Sequence, residues 1–116
     1  MNQTAITLAA AGLIVAACSL TDYYDPPSVA DKEAAEAAYN DCVLGSVGRL
    51  DDGKSDPVGI AQKVQPTCAV LYQKLTQIVV SRATTPKDQD EARRIYKDGE
   101  IRSIASAVLI YRSQKR

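Results

Sequence analysis

Three helix-start signals divide this chain into segments. Ser28, Asp56 and Thr85 each carry a side-chain oxygen that can accept hydrogen bonds from the free amides at a helix N-terminus. Proline follows directly after Asp56 and after Thr85, and proline is favoured at the first position of a helix. The sequence therefore predicts one helical domain over residues 28–116, with three helices at about 28–50, 57–82 and 86–112.

The first two predicted helices each have one apolar face. In the first, the small and apolar residues at helical spacing are Ala35, Tyr39, Cys42, Val43, Ser46 and Leu50. In the second, they are Ala61, Val64, Cys68, Leu71, Tyr72, Leu75 and Val79, with Ile60 and Ile78 at the border. The fold class is therefore all-α, and we expect a small three-helix bundle built on an antiparallel helical hairpin.

Pro66 lies inside the second predicted helix, where proline removes one backbone hydrogen bond. We expect a bend in a continuous helix at this position. Division of the segment into two shorter helices is the alternative.

The third predicted helix changes its apolar face near Gly99. Ala92, Ile95 and Tyr96 face one way, whereas Ile101 and the apolar residues after it lie roughly opposite. Either the helix breaks at Gly99 or its end is apolar on several sides. A strand over 107–111 is a further alternative, because that run is β-branched and aromatic.

The apolar C-terminal run exceeds what one hairpin can cover, so part of it is a candidate surface for a partner or a second copy. The residues of this candidate partner surface are Ile101, Ile104, Val108, Leu109 and Tyr111. Packing of the same segment onto the hairpin is the simpler explanation, and the pattern leaves both open.

Cys42 and Cys68 lie on the inward faces of the first two helices. Cys42 is eight residues before Leu50 and Cys68 is eleven after Pro57. At a rise of 1.5 Å per residue, their depths in an antiparallel hairpin differ by roughly 4 to 5 Å. We therefore predict a disulfide between them; two buried free thiols are the alternative.

The N-terminal residues form a short apolar run. Ala5 to Ala17 is 13 largely apolar residues, fewer than the roughly 20 that span a bilayer as a helix, and the run ends in Val15-Ala16-Ala17-Cys18. This ending resembles the lipobox of bacterial lipoprotein precursors, although Met1 to Thr4 lacks the usual Lys or Arg. The resemblance covers about the first twenty residues. A secretory signal cleaved nearby and an uncleaved anchor are the alternatives.

The resemblance implies a signal peptide over 1–17, lipidation of Cys18 and a tether over 18–27. It places the mature chain on the periplasmic side of the cell envelope, anchored to a membrane by lipid. Ser19 follows the lipidated Cys, which implies the outer membrane if the host follows the enteric sorting rule. This compartment is oxidising, which suits the predicted disulfide.

The charged residues are unevenly distributed. Residues 18–56 have nine acidic side chains against three basic ones, and residues 57–116 have eleven basic against five acidic. The simplest explanation is that the two halves pack with complementary faces. Contact of Arg112, Lys115 and Arg116 with anionic lipid or an acidic partner is the alternative. We expect no nucleic-acid partner in this compartment.

Residues 48–55 satisfy the spacing G-x-x-x-x-G-K-[ST] of the phosphate-binding loop in nucleotide hydrolases. Asp51 and Asp52 within the match would repel a phosphate, and the residues before it have a helical pattern. We reject the match, and nucleotide binding at 48–55 remains only a formal alternative. Asp51, Asp52 and Asp56 also lack the ligand pattern of a calcium loop.

The chain contains no histidine, the commonest general base and metal ligand. Glu33, Glu36 and Asp41 lie on a predicted helix exterior, where carboxylates are usually solvated. We therefore assign no catalytic residue, metal or cofactor.

Two functions stay open: a non-enzymatic lipoprotein that acts as a helical adaptor for an envelope protein, and an envelope enzyme that uses surface carboxylates. The chain is similar to pilotins, lipoproteins that escort outer-membrane secretion channels, in size, anchoring and disulfide use, with no shared motif. Its oligomeric state is not predicted.

Overall fold

The computed structural model describes residues 26–116, and within them every regular element is helical. The four α-helices are α1 (Val29–Leu50), α2 (Pro57–Val64), α3 (Ala69–Arg82) and α4 (Pro86–Gln114). A 3-10 turn, Gln65–Cys68, joins α2 to α3. We call α2, this turn and α3 together the second arm; with α1 and α4 it forms the predicted three-part bundle. The predicted signal peptide, Cys18 and residues 18–25 of the tether lie outside the described residues.

The three predicted helix starts are confirmed by their caps. Ser28 Oγ accepts a hydrogen bond from the Asp31 amide at 3.1 Å, and the Asp31 carboxylate accepts one from the Ser28 amide at 2.8 Å. Asp56 accepts from the Val58 amide at 2.8 Å, and Thr85 caps α4 in the same way. Each cap satisfies amides that have no partner inside their own helix.

Pro66 divides the second arm into two shorter helices, which was the alternative to a bend. We expected a bent continuous helix, but the structure has two α-helices separated by the 3-10 turn that contains Pro66. Proline has no amide to donate, and its ring crowds the preceding turn. The chain therefore leaves α-helical geometry for one turn and resumes it at Ala69.

The core lies where the three parts of the bundle meet. Its largest fully buried side chains come from α1 (Ser46 and Val47), from the second arm (Ile60, Val64 and Cys68) and from α4 (Ile104 and Val108). Two details differ from the predicted faces: Leu50 is partly exposed while Val47 is buried, and Ile60 lies inside the core and not at its border.

Helix α4 is continuous through Gly99, so the break at that glycine and the strand over 107–111 were both wrong. The shift of its apolar face follows from a change of neighbours along its length. Tyr96 in its first half packs against Tyr72 of α3, whereas Tyr111 near its end lies beside Gly48 of α1. A single helix therefore needs two differently oriented apolar faces.

The candidate partner surface was wrong for most of its residues. Ile104 and Val108 are buried in the core, and Ile101 and Tyr111 are half-buried against it. Of that group only Leu109 is well exposed, at 56%, and its neighbour Ile110 is similar at 55%. The simpler explanation holds, because the end of α4 packs on α1 and α2. None of the described helices is long and apolar enough to cross a membrane.

Candidate functional site

The predicted disulfide is confirmed: Cys42 of α1 is bonded to Cys68 at the end of the 3-10 turn, with their Cα atoms 5.9 Å apart. Cys68 is almost completely buried. The bond therefore fastens α1 to the place where Pro66 interrupts the second arm.

Three polar side chains lie beside the disulfide, and one of them, Ser46, is fully buried. Ser46 Oγ lies 3.6 Å from Cys68 Sγ and accepts a hydrogen bond from Arg49 Nη2 at 3.2 Å. Thr67 Oγ1 lies 3.2 Å from Ser46 Oγ and donates to the Val64 carbonyl at 2.6 Å. These contacts pair the polar atoms near the turn, as buried polar groups require. We interpret the disulfide as a structural clamp, because Cys68 is buried in the core and the bond joins α1 to the second arm.

A second polar site lies at the start of the second arm, in the loop between α1 and α2. Arg112 of α4 binds Asp51 with two nitrogens, Nη2 at 2.7 Å and Nε at 3.1 Å, and Nη2 also donates to the Ser55 carbonyl at 2.7 Å. The Asp51 side chain is 3% exposed. The Arg112 guanidinium holds the pKa of Asp51 below its ordinary value of 3.8. This contact joins the acidic half of the chain to the basic half.

The same loop shows why residues 48–55 do not form a phosphate-binding loop. The amides that would have to bind phosphate already donate to carboxylates: Gly53 to Asp51 at 3.1 Å, and Lys54 and Ser55 to Asp52 at 2.9 and 2.7 Å. Hydrogen bonds from Ser55 and Lys54 also lower the pKa of Asp52. The loop therefore presents negative charge and occupied amides, the opposite of an anion site.

Two of the three C-terminal basic residues contact other side chains of the domain. Arg112 is held by Asp51, and the Lys115 ammonium lies 4.6 Å from the centre of the Tyr111 ring. Complementary packing of the two charged halves therefore accounts for Arg112, while Arg116 remains exposed.

We expect acid to weaken the Asp51–Arg112 contact. Because the pKa of Asp51 is lower in the folded than in the unfolded chain, its contribution to stability is complete above about pH 4 and is lost as the pH falls through the folded value. Arg112→Gln should lower the stability at pH 7 and flatten its fall between pH 5 and 2, both measured by urea unfolding.

Arg93→Gln is the matched control for this prediction, because Arg93 forms an exposed pair with Asp90, at 2.9 Å. Exposed ion pairs contribute little to stability. Equal acid sensitivity of the wild type and Arg112→Gln would contradict the assignment.

A cluster of tyrosines with one buried carboxylate lies between α1, α3 and α4. The Tyr39 and Tyr72 ring centres are 4.9 Å apart, and the Tyr72 hydroxyl donates to the Tyr96 carbonyl. Burial, and next the charge of Glu100, raise the pKa of Tyr72 to about 12. The Tyr39 hydroxyl is buried without a hydrogen-bond partner among the described residues.

Glu100 is the functional candidate that the sequence reasoning missed. It is 7% exposed; its Oε2 accepts a hydrogen bond from Gln65 Nε2 at 3.0 Å, and its Oε1 has no partner among the described residues. A signal was present, because Glu100 stands four residues from both Tyr96 and Ile104 and so shares their helix face.

Glu100 also lines a groove between the second arm and α4, with a volume of about 760 Å³. Apolar surface comes from Pro66, Ala69 and Val70. Four glutamine side chains (Gln62, Gln65, Gln73 and Gln77) line it as well, together with Arg93 and Lys97 of α4. We call this feature the glutamine groove.

The surface carboxylates of α1 do not form a cleft. Glu33 and Asp41 are exposed, and Glu36 pairs with Lys32 at 3.1 Å. Within residues 26–116 there is no group of three His, Cys, Asp or Glu side chains placed to hold a metal ion.

No protein-family model, curated protein or solved structure matches the chain.

Proposed function

We propose that the protein is a lipid-anchored helical adaptor of a bacterial cell envelope, with Cys18 as its lipidated N-terminal residue. The observation that carries this proposal is the Val15-Ala16-Ala17-Cys18 sequence directly after a short apolar run. The Cys42–Cys68 disulfide supports it, because disulfides persist in oxidising compartments such as the periplasm. After lipidation of Cys18, no unpaired cysteine would be left.

The two ends of the bundle differ in their separation from Cys18 along the chain. The Pro27 carbonyl accepts a hydrogen bond from Arg82 Nη1 at 3.0 Å, which holds the start of α1 at the end of α3. Helix α1 has 22 residues and is therefore about 33 Å long. The Asp51–Arg112 contact lies at its other end. That end of the bundle is therefore separated from Cys18, along the chain, by the tether and the whole length of α1.

Leu109 and Ile110 lie within one helical turn of Arg112 and are both more than half exposed. We propose that a protein of the envelope covers these two exposed apolar side chains. Leu109 and Ile110 are the proposed contact with the partner. Leu109 belongs to the candidate partner surface that the sequence predicted.

Lipidation is tested by mass spectrometry of the full chain purified from the membranes of a Gram-negative host. We expect the product to begin at Cys18 and to carry the mass of a diacylglyceryl group and an acyl chain such as palmitate. Cys18→Ser should remain an unprocessed precursor, whereas Cys42→Ser, which removes a different cysteine, should still be lipidated. A mature protein that begins at Met1, or at another residue without lipid, contradicts the proposal.

The adaptor role is tested with a photo-crosslinking amino acid at Leu109, introduced into the anchored protein in intact cells. We expect a discrete adduct at Leu109 and none at Lys87, an exposed control position at the opposite end of α4. Identical adducts at both positions, or no adduct at Leu109, would count against a specific partner.

A further inference from the structure

The two sulfur atoms of the disulfide have different surroundings. Cys68 is 1% exposed, whereas Cys42 is only partly buried at the edge of the core. Ser46 Oγ lies 3.6 Å from Cys68 Sγ, and the Thr67 carbonyl oxygen lies 3.7 Å from Cys42 Sγ. One sulfur therefore faces a hydroxyl group and the other faces a carbonyl oxygen.

The contact between Ser46 and Cys68 has a fixed direction. A disulfide sulfur carries no proton, so in this pair only the Ser46 hydroxyl is able to donate a hydrogen bond. The same hydroxyl oxygen accepts a hydrogen bond from Arg49 Nη2 at 3.2 Å, and Ser46 is fully buried. The positive charge of Arg49 therefore polarises a buried hydroxyl toward the Cys68 sulfur.

This arrangement favours Cys68 as the leaving group in thiol–disulfide exchange. Exchange occurs when a thiolate attacks one sulfur of a disulfide, and it is faster when the departing sulfur is stabilised as a thiolate. A thiolate at Cys68 would accept a charge-assisted hydrogen bond from Ser46, which Arg49 supports. A thiolate at Cys42 would instead face the Thr67 carbonyl oxygen, whose partial negative charge repels it. Cys42 is also the more exposed of the two cysteines, and so the one that an attacking thiol reaches first.

We propose that the disulfide is a site of thiol modification, at which a low-molecular-weight thiol attacks Cys42 and Cys68 leaves as the thiolate. The Cys42–Cys68 bond breaks, a new disulfide forms between Cys42 and the incoming thiol, and the electron pair of the broken bond stays on Cys68 Sγ. The attacking thiol loses its proton to the solvent beforehand, so the exchange needs no further oxidant or reductant. The bond that joins α1 to the second arm is thereby opened in the folded protein. This inference does not depend on the lipid anchor or on the adaptor role.

The test is reaction of the full chain with glutathione. Cys18→Ser is introduced first, so that Cys42 and Cys68 are the only cysteines present. After a short incubation, N-ethylmaleimide alkylates the free thiols and stops the exchange, and mass spectrometry of peptides locates both groups. We expect glutathione on Cys42 and the alkyl group on Cys68. Glutathione on Cys68, or on both cysteines equally, would overturn the proposal. So would an adduct that forms only on urea-unfolded protein.

Variants of the donor groups give a second measurement, the rate of adduct formation with glutathione. Ser46→Ala should slow it about tenfold, because a hydrogen bond to the departing thiolate is lost. A loss of stability alone would raise the rate, since opening of the structure exposes the disulfide. Arg49 is exposed, so Arg49→Gln tests the same role without a change in the core and should also slow the reaction. Arg93→Gln, which removes an arginine from an exposed pair on α4, is the control and should leave the rate unchanged. An unchanged or higher rate in Ser46→Ala and Arg49→Gln would contradict the assigned leaving group.

Discussion

Replacing both Cys42 and Cys68 with alanine is expected to lower the free energy of unfolding by about 3.5 kcal/mol. The bond closes a loop of about 27 residues, and the loss of that constraint on the unfolded chain gives this value in the chain-entropy model. For a domain of this size it is a large share of the total stability. Urea unfolding of the two proteins, monitored by circular dichroism, measures the difference.

Reduction of the wild-type protein provides a control without mutation. The reduced protein and the double alanine variant should have similar midpoints in urea, since both lack the bond and differ only in two sulfur atoms. A difference below about 1 kcal/mol between oxidised protein and double variant would mean that the clamp contributes little, well under the usual effect of removing a native disulfide.

Ile104→Ala is expected to lower the free energy of unfolding by about 3 kcal/mol, because removal of a buried isoleucine side chain leaves a cavity in the core. Leu109→Ala, only five residues away on the same helix, should change it by less than about 0.5 kcal/mol, because that side chain is more than half exposed. Denaturant unfolding of both variants measures the two changes in the free energy of unfolding.

Ile104→Ala and Leu109→Ala together distinguish a residue of α4 that packs in the core from one that binds a partner. Leu109→Ala should lose the proposed photo-crosslinked partner, with the probe placed at Ile110, while its folding is unchanged. If Leu109→Ala were instead as destabilising as Ile104→Ala, the end of α4 would pack differently from the structure, and Leu109 would not be available to a partner.

Local signals were sufficient for the parts of the fold that depend on nearby residues. A cap acts within three residues of its own position, so Ser28, Asp56 and Thr85 could be recognised without knowing what surrounds them. The disulfide followed from helical periodicity and the short connection between two helices, both of which are local properties.

Contacts between distant segments decided which residues of α4 are buried and which distant side chains pair. Whether Ile104 or Leu109 faces the core depends on which helices flank the end of α4, and its apolar pattern alone left this open. Arg112 and Asp51 are 61 residues apart, and Gln65 and Glu100 are 35 apart. Nothing in the residues next to Glu100 indicates that Gln65 will bind one of its oxygens, or that the other will have no partner within residues 26–116.

The amino-acid sequence by itself determined that the domain over residues 28–116 is helical, where its helices begin, and which two of its cysteines pair, because hydrogen bonding at helix ends and helical periodicity act over a few residues. Only the tertiary structure decided which face of α4 is buried, how Pro66 divides the second arm, and that Glu100 lies in a groove. Those outcomes depend on the close packing of three separate parts of the chain, where each side chain takes the space that its distant neighbours leave.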